Sequence, residues 1–448
     1  EPEQMIMLSA HYDSYFTGFQ DDNAAVAMML GIARTFIDMG YKPRKTLVFC
    51  AMAAEEWGVV DSKYDWSTGA YEQVFTAHPE WQGKVIADFN FELPAHAHGK
   101  KDAVRCTYEY ASFMKKATEH IQPSKEAYPE GLEVHFPIQT WSDDFSIAIA
   151  GIPSSVNEFS DGEFMETHYH SQFDNEDFYD EPVYRFHHNL YGKLVLAFDH
   201  TAVVPMDFER LFAAVEDSVD RKLCEKTEAN ETVLLERLKK AKELGHQLYD
   251  QIQKINETYK NLLETGKCEE AKAMAAEYAA LNSSLLYIFR KEQDYFVRLN
   301  WHDDVLFPQQ GVGENLKAIY KALACLKEDD PEGALEAVYE IDNNRYAFLF
   351  DREVFRYFTE YVLNQPADRL KWGYGRIIHH ENLYDLVVSL KEKNKLQKAG
   401  ERPDLEEEYK ILLQAANAQE QCYRDDIDYM ASSVEKLLAA MEGCVQKQ

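Results

Sequence analysis

The sequence predicts an α/β domain over residues 1–204 and an all-α domain over residues 205–448. Before residue 205, short β-rich apolar runs alternate with helical stretches and with turns rich in Gly, Pro, Asn and Asp. After that point the apolar residues recur at helical spacing only. A length of 448 residues suggests two or three domains if each holds about 150 residues. The change in pattern therefore indicates a domain boundary near Pro205.

The first part carries the alternation that α/β folds require. Asp22–Gly40 is predicted to be a helix, because Ala25, Met28, Ile32 and Phe36 recur at helical spacing before a terminal glycine. In α/β domains, sites form beyond the carboxyl ends of the strands. The predicted strands are Met5–Ala10, Lys45–Ala51, Val85–Phe91 and Pro153–Phe159.

The second part is rich in Leu, Ala, Glu and Lys at a period of 3.6 residues, which predicts packing and assembly rather than chemistry. It contains no clean 34-residue repeat that would indicate a helical solenoid. The predicted helices are Val233–Leu262, Cys268–Arg290, Leu316–Lys327, Pro331–Tyr339, Arg352–Leu363 and Leu405–Glu442.

Charge excludes one class of partner. The chain has 47 Lys and Arg against 78 Asp and Glu, a formal net charge of -31. An excess of acid this large repels nucleic-acid phosphates and disfavours docking on anionic membranes. No stretch approaches the roughly 18 consecutive apolar residues of a membrane span. We expect neither nucleic-acid binding nor a transmembrane helix.

Location is not fixed by the sequence. The chain starts at Glu1 without a basic-then-apolar leader, which is typical of a processed or trimmed form. Seven scattered cysteines without a Cys-x-x-Cys pair indicate neither a disulfide framework nor a zinc ribbon. An extracytoplasmic or secreted protein is the favoured expectation.

Five groups of polar residues follow the predicted strands or occupy nearby loops. One group taken alone is weak, because 78 acidic residues produce adjacent pairs by chance. The prediction of a functional site depends on the order of the five groups within the first part of the chain. The groups are His11-Tyr12-Asp13, Gly18-Phe19-Gln20-Asp21-Asp22-Asn23, Glu55-Glu56-Trp57-Gly58, Asn90-Phe91-Glu92 and Tyr169-His170-Ser171-Gln172-Phe173-Asp174.

Two imidazoles and three carboxylates suit a pair of divalent ions with three protein ligands each. A bridging carboxylate holds such ions about 3.5–4 Å apart. Adjacent side chains of an extended segment point to opposite sides, so one residue of Glu55-Glu56 can bind metal while the other acts as a general base. Asp13, two residues after His11, can orient that imidazole.

In this order the motifs resemble those of the co-catalytic zinc exopeptidases of the aminopeptidase Y and glutamate carboxypeptidase family. The resemblance covers roughly residues 4–200 and implies a mixed, mostly parallel sheet flanked by helices, two Zn²⁺ ions and a peptide substrate. It also implies a general base at Glu55 and a phenol at Tyr169 that stabilises the oxyanion. The implied ligands are His11, Asp21 and Glu92 for one zinc and Asp21, Glu56 and His170 for the other.

The chain departs from the family pattern at two ligand positions. Asp21 is followed by Asp22, so the bridging role could belong to either, although the spacing from Gly18 favours Asp21. The usual Asn-x-Asp is Asn90-Phe91-Glu92, with Asp88 as the alternative if the register differs. The downstream pair His96-Ala97-His98 is interpreted as a loop feature.

The end of the substrate that is cleaved depends on the predicted specificity segment. Ser142 and Asp143 resemble residues that line the pocket. Glutamate carboxypeptidases carry arginines shortly after the Gly-Ile that here is Gly151-Ile152, whereas this chain has Glu158 in that region. An acidic residue can pair with a free α-ammonium, so we expect an aminopeptidase, with a carboxypeptidase or dipeptidase as the alternative.

Two further hypotheses keep the fold but change the function. A glutaminyl cyclase would use one zinc, and a non-catalytic receptor relative would have lost ligands. The complete ligand set argues against both. Larger family members end in a helical dimerisation domain. The helical part of this chain is accordingly expected to form a homodimer or to cover the cleft.

Overall fold

The computed structural model describes residues 2–59, 66–363, 376–377 and 379–445. Its central feature is a six-stranded sheet with the strand order β2-β1-β3-β6-β4-β5. The strands are β1 (Met5–His11), β2 (Thr46–Met52), β3 (Val85–Asn90), β4 (Asp102–Cys106), β5 (Leu132–His135) and β6 (Ser154–Asn157).

The sheet is mixed and mostly parallel, as predicted. β1 pairs in parallel with β2 and β3, and β3 pairs in parallel with β6. β4 runs antiparallel to β6 but parallel to β5. The carboxyl ends of β1, β2, β3 and β6 therefore meet at one edge of the sheet, and those of β4 and β5 lie at the opposite edge.

Burial explains why these strands form. All six residues of β3 and the last six of β1 are buried, as expected for central strands covered on both faces. In helix α1 the buried side chains are Ala25, Met28, Met29, Ile32 and Phe36, which make one apolar face against the sheet. The helices of the α/β part are α1 (Ala25–Asp38), α2 (Thr68–Glu72), α3 (Ala111–Thr118), α4 (Asp143–Ile149), α5 (Glu163–Thr167) and α6 (Glu181–Asp199).

The remainder is helical except for a small hairpin, β7 (Arg298–Leu299) with β8 (Val305–Leu306). Apart from this short hairpin, the described residues of the second part form helices and loops, which confirms its predicted helical character. The helices are α7 (Glu209–Asp217), α8 (Arg221–Thr227), α9 (Thr232–Glu264), α10 (Cys268–Glu277), α11 (Ala279–Phe296), α12 (Pro308–Lys327), α13 (Pro331–Val338), α14 (Tyr346–Leu349), α15 (Arg352–Arg356), α16 (Tyr384–Lys398) and α17 (Glu406–Val445).

One apolar core contains side chains from both sides of residue 205. It extends from Leu8 and Phe89 in the sheet, through Phe198 and Phe212, to Ile427 in α17. The division at 204/205 remains a prediction. Of the helices among the described residues, none combines the length and the apolar character that crossing a membrane requires.

The predicted elements differ from the structure in several places, among them the predicted helix Arg352–Leu363, which is α15 followed by a π-helical segment, and α16, which was not predicted. The predicted helix Asp22–Gly40 begins with a π-helical segment, Phe19–Ala24, in which Asp21 and Asp22 depart from helical backbone angles. The predicted Cys268–Arg290 is two helices, α10 and α11. β4 and β5 were not predicted from the sequence.

Candidate metal centre

Functional side chains gather where the parallel strands end. His11 is the last residue of β1, Glu92 lies two residues after β3, and Glu55 and Glu56 lie shortly after β2. Because β2, β1 and β3 are parallel neighbours, their carboxyl ends bring these residues to one edge. His170 joins them from the loop between α5 and α6.

Asp21 lies between the two imidazoles. Its Oδ1 is 3.1 Å from His11 Nε2 and its Oδ2 is 3.3 Å from His170 Nε2. Burial would raise the pKa of this carboxyl, but the hydrogen bonds from His11 and His170 outweigh burial and lower it below its usual value. One carboxylate thus presents a separate oxygen to each side of the cluster, which is the geometry expected of a bridge.

Two groups of three potential ligands correspond to the two predicted ion sites, and a further group combines His11 with Glu55 and Glu56; within each group the ligand atoms lie within 4.8 Å of one another. The second group is the predicted one: Asp21, Glu56 and His170, with Glu56 Oε2 at 3.1 Å from His170 Nε2. The first group is His11, Asp22 and Glu92, so Asp22 stands where the predicted set of His11, Asp21 and Glu92 has Asp21.

Asp22 and Asp21 therefore have different positions. Asp22 Oδ2 lies 3.9 Å from His11 Nε2, and Asp22 Oδ1 accepts a hydrogen bond from Leu93 N. Asp22 belongs to the first group, whereas Asp21 belongs to the second group and contacts both imidazoles. The geometry favours Asp21 over Asp22 as the bridge.

The residues fit divalent cations. Asp22 Oδ2 and Glu56 Oε1 are buried without a hydrogen-bond partner in the described part of the chain, so both are available as ligand atoms. Imidazole nitrogens and carboxylate oxygens together suit Zn²⁺. The cluster could hold two ions, one at each group, and Asp21, which contacts an imidazole of each group, is the candidate bridge.

Mutual contact and burial govern the protonation of the second group. Burial lowers the pKa of His170, but its hydrogen bonds to Asp21 and Glu56 outweigh burial and raise it to about 9. Burial raises the pKa of Glu56 to about 7, against the lowering effect of the His170 hydrogen bond. When His170 is protonated, its positive charge attracts the carboxylates of Asp21 and Glu56.

Glu55 has the position expected of a proton-transfer group. Its Oε1 accepts a hydrogen bond of 3.2 Å from Ser67 Oγ, whereas the neighbouring Glu56 turns to His170. The two side chains have different partners, although residues 55 and 56 form a bend rather than the predicted extended segment and both carboxylates lie within reach of His11. Burial raises the pKa of Glu55 well above its usual range, and the nearby Glu92 and Asp143 add to the increase. A raised pKa suits a group that accepts and then returns a proton.

Asp13 holds the segment that carries both glutamates. Its Oδ1 and Oδ2 accept hydrogen bonds of 3.2 Å from the backbone N–H groups of Glu55 and Glu56. The backbone carbonyl of Asp13 is 2.9 Å from His11 Nδ1, which orients the imidazole. The predicted contact with His11 is present, and the contact with the Glu55-Glu56 backbone is additional.

A glycine makes room for this segment. The N–H of Gly69 donates to Ala54 O at 3.0 Å, and a Cβ at position 69 would lie 1.5 Å from Ala53 O. Only glycine permits α2 to approach the backbone just before Glu55 this closely.

Two residues outside the predicted set fix the backbone of the ligands. Asp174 accepts hydrogen bonds from the N–H groups of Gln20, at 2.9 Å, and Asp21, at 3.1 Å. Asn157 accepts from Glu92 N at 2.9 Å and donates to Glu92 O. Asp174 ends the Tyr-His-Ser-x-x-Asp motif, so the motif pointed to this residue. Its hydrogen bonds to the backbone of Gln20 and Asp21 could not be predicted from the motif.

A cleft of about 490 Å³ opens onto the cluster. Tyr169 lines it and stacks on His170, with ring centroids 3.7 Å apart. Burial, together with the charges of Asp21 and Glu92, raises the pKa of the Tyr169 phenol, so the hydroxyl keeps its proton to donate. The lining is otherwise largely aromatic: Tyr15, Glu55, Glu56, Trp66, Trp141, Phe159, Ser160, Met165, Tyr169 and His170.

The predicted substrate-binding residues lie behind this lining. Ser142 is fully buried and donates to Glu92 Oε1, and Asp143 is fully buried near Ser67 and His11. Neither side chain reaches the surface of the cleft, because both face inward from the start of α4. They are placed to hold the cluster, and direct substrate contact by them is not supported.

Glu158 is engaged with protein groups. Its Oε2 is 3.6 Å from Arg105 Nη2, and its Oε1 accepts from the N–H groups of Phe159 and Ser160 at 3.1 Å. Glu158 is not among the described residues that line the cleft, although Phe159 and Ser160 are. Its pairing with a substrate ammonium stays a prediction.

The alternative ligands lie outside the cluster. Asp88 accepts a hydrogen bond of 2.8 Å from Ser9 Oγ within the sheet. His98 pairs with Asp102 at 3.0 Å, and His96 packs on Phe164. Among the described residues none of these belongs to a group that could hold a metal ion, in agreement with the interpretation of His96 and His98 as a loop feature.

The cluster is a candidate metal centre at the carboxyl edge of an α/β sheet. Residues 1–195 match the family model described as peptidase family M28. The family is one of metallopeptidases, and zinc is the metal typical of it.

Named relatives are distant and partial. A probable glutamate carboxypeptidase VP8 of Zea mays is 22% identical over 253 residues, which are 49% of this chain and 32% of that protein. A glutamate carboxypeptidase 2 homolog of Caenorhabditis elegans is 38% identical over 66 residues, 14% of this chain and 9% of that protein. The chain thus spans no more than about a third of the curated relatives it matches.

A zinc aminopeptidase from Bacillus subtilis is similar in structure. The two chains are 20% identical, the match covers 43% of this chain and 45% of that chain, and the TM-score is 0.34.

Proposed function

We propose that this chain is a di-zinc exopeptidase that removes residues from the amino end of peptides. The observation that carries the proposal is Asp21, whose two oxygens face the imidazoles of His11 and His170. A carboxylate that faces one imidazole of each three-residue group is placed to bridge a pair of co-catalytic ions.

The residues have separate tasks in peptide hydrolysis. Two bound divalent ions would supply a Lewis acid for the scissile carbonyl and lower the pKa of water. Glu55 takes the proton from the attacking water and returns it to the leaving amine. Tyr169 donates its phenolic hydrogen to the developing oxyanion. Asp13 keeps Glu55 and Glu56 in register through their backbone N–H groups.

Charge at the cleft favours the amino end of the substrate. Glu55 and Glu56 are part of the lining, and no Lys or Arg belongs to it among the described residues. A lining without Lys or Arg among the described residues offers no ion-pair partner to a C-terminal carboxylate. Six apolar or aromatic side chains of the lining would accommodate a large apolar side chain of the substrate: Tyr15, Trp66, Trp141, Phe159, Met165 and Tyr169.

A carboxypeptidase is the second candidate. The named relatives are glutamate carboxypeptidases. In addition, the Arg105 guanidinium carbon lies 4.9 Å from the ring centroid of Trp141, a residue of the cleft. A rearrangement that released Arg105 from Glu158 would bring a cation to the cleft for a substrate carboxylate.

Blocked peptides separate the two candidates. Peptides that begin with Leu or Phe would be offered with a free or acetylated amino end and with a free or amidated carboxyl end. An aminopeptidase cleaves the amidated peptide and leaves the acetylated one intact, and products identified by mass spectrometry show which residue was removed. Cleavage of the acetylated peptide from its carboxyl end would overturn the proposal in favour of the carboxypeptidase.

The Glu55→Gln variant tests the mechanism. We expect kcat to fall by about a hundredfold or more, with two metal ions still bound, because the amide keeps the shape of the carboxyl but cannot accept the proton. Glu119→Gln, an exposed change, is the matched control. Full turnover by Glu55→Gln would contradict the role of this residue. A homodimer through residues 205–448 stays a prediction, which light scattering can test.

A further inference from the structure

A second cavity lies between the α/β part and the helical part. Its volume is about 430 Å³, and it is lined by residues after β4 and β5 together with residues of α7, α11 and the segment that follows β8. Since β4 is antiparallel to β6, residues 107–109 lie at the opposite edge of the sheet from the metal cluster. We call it the interface cavity.

Two glutamates meet in this cavity. Glu109 is 0% exposed and Glu292 is 1% exposed, and both belong to the lining. The two carboxyl groups are close enough to interact, and none of their four oxygens has a hydrogen-bond partner by distance and angle in the part of the chain that the structure describes. No described Lys, Arg or His forms an ion pair with either. Two buried acids without a counter-charge leave an unmet need for a cation or for hydrogen-bond donors.

The walls of the interface cavity are apolar and aromatic. The rings of Tyr108 and Phe307 stack with centroids 6.2 Å apart, and Phe296 meets Phe307 edge-on at 6.5 Å. Such walls suit hydrocarbon, and aromatic faces attract organic cations. They do not suit a bare divalent ion, because no third His, Cys, Asp or Glu converges with the two acids among the described residues.

We propose that the interface cavity binds a small primary amine that carries an apolar chain or ring, with its ammonium group between Glu109 and Glu292. The ammonium offers three donors to carboxylate oxygens, and the apolar portion packs on Phe296 and Phe307. The volume of about 430 Å³ falls within the range of small-molecule sites. The peptidase proposal is not needed for this site.

Calorimetry of the full chain with phenethylamine tests the site, with phenethyl alcohol as the matched uncharged probe. We expect the amine to bind at least tenfold more tightly than the alcohol. The double variant Glu109→Gln/Glu292→Gln should weaken amine binding at least tenfold, because it keeps the shape and removes the charge. Absence of amine binding to the unchanged chain, or equal binding of the alcohol, would overturn the proposal.

A second variant tests the cavity without altering the acids. Ala214 of α7 belongs to the lining, and Ala214→Phe would fill space that the ligand needs. We expect it to reduce amine binding at least tenfold while the circular dichroism spectrum is unchanged. An amine that bound in the catalytic cleft would be insensitive to both variants, so unchanged binding in either folded variant refutes the site.

Discussion

The metal cluster and the interface cavity both contain neighbouring buried acids, but the groups that face these acids differ. At the metal cluster, the carboxylates face two imidazoles, and Asp21 is shared between them. In the interface cavity, Glu109 and Glu292 face each other. Contact with the imidazoles lowers the pKa of Asp21, whereas burial raises the pKa of Glu109 to about 7.

The difference shows that burial of acids does not by itself indicate a metal site. The cluster is distinguished by ligands that arrive from the ends of several neighbouring strands and by backbone contacts that fix them. Glu109 and Glu292 have no comparable set of nitrogen ligands. Replacing single carboxyl groups should therefore affect metal binding at the cluster and pH-dependent stability at the interface cavity.

Replacing the shared carboxylate should have the largest effect. We expect Asp21→Asn to lower kcat/KM by about a thousandfold or more and to reduce the number of bound metal ions, because both groups depend on it. Metal analysis and peptide hydrolysis measure the two effects. Asp38→Asn, on the exposed end of α1, is the control. Metal content and activity near those of the control would mean that Asp22 provides the bridge.

The residue that holds the Asp21 backbone should have the next largest effect. Asp174→Asn weakens the hydrogen bonds to Gln20 N and Asp21 N, and we expect metal affinity to fall about 10- to 100-fold. Competition with a chelator measures this affinity. Asp177→Asn, on the same loop, keeps these bonds and serves as control. Equal affinity of both variants would show that the Asp21 backbone does not need this support.

The clustering of several candidate ligands could be predicted from the sequence, because each of them lies at or shortly after the end of a predicted strand. His11, Glu56 and Glu92 each follow a strand with a clear apolar run, and parallel strands place such positions at one edge. β4 and β5 were missed, since they are four or five residues long and mix polar with apolar side chains. Their place in the sheet depends on pairing with β6 and with each other, which no local pattern records.

Contacts that depend on distant parts of the chain could not be predicted. Asn157 holds Glu92 through backbone atoms, and nothing about an isolated asparagine indicates which N–H it will meet. Ser142 was predicted to contact substrate but points inward to Glu92, because α4 turns its first residues toward the cluster. Glu109 and Glu292 become neighbours only when α11 packs on the sheet.

The interface cavity should reveal itself in the pH dependence of stability. The pKa of Glu109 is 4.5 when unperturbed and about 7 in the folded chain, so its stabilising contribution is full below about pH 4.5 and is lost as the pH rises through 7. Glu109→Gln should therefore gain about 1 to 2 kcal/mol in free energy of unfolding relative to the unchanged chain between about pH 5 and pH 8. Urea titrations measure it, with the exposed Glu340→Gln as control. Parallel pH profiles of the variant and the unchanged chain would mean that a cation already neutralises the pair.

Glu158 should give the smallest effect of the four. Its carboxylate is paired with Arg105 and bonded to the backbone of Phe159 and Ser160, so little of its charge is left for a substrate ammonium. We expect Glu158→Gln to raise KM for free-amine peptides by less than about threefold at unchanged kcat, as for a partly screened surface charge. Arg105→Gln is the informative companion, because it leaves Glu158 without its cation and should lower KM if the negative charge then attracts the ammonium. A tenfold rise in KM for Glu158→Gln would instead show that Glu158 leaves Arg105 and contacts the substrate, as the sequence first predicted.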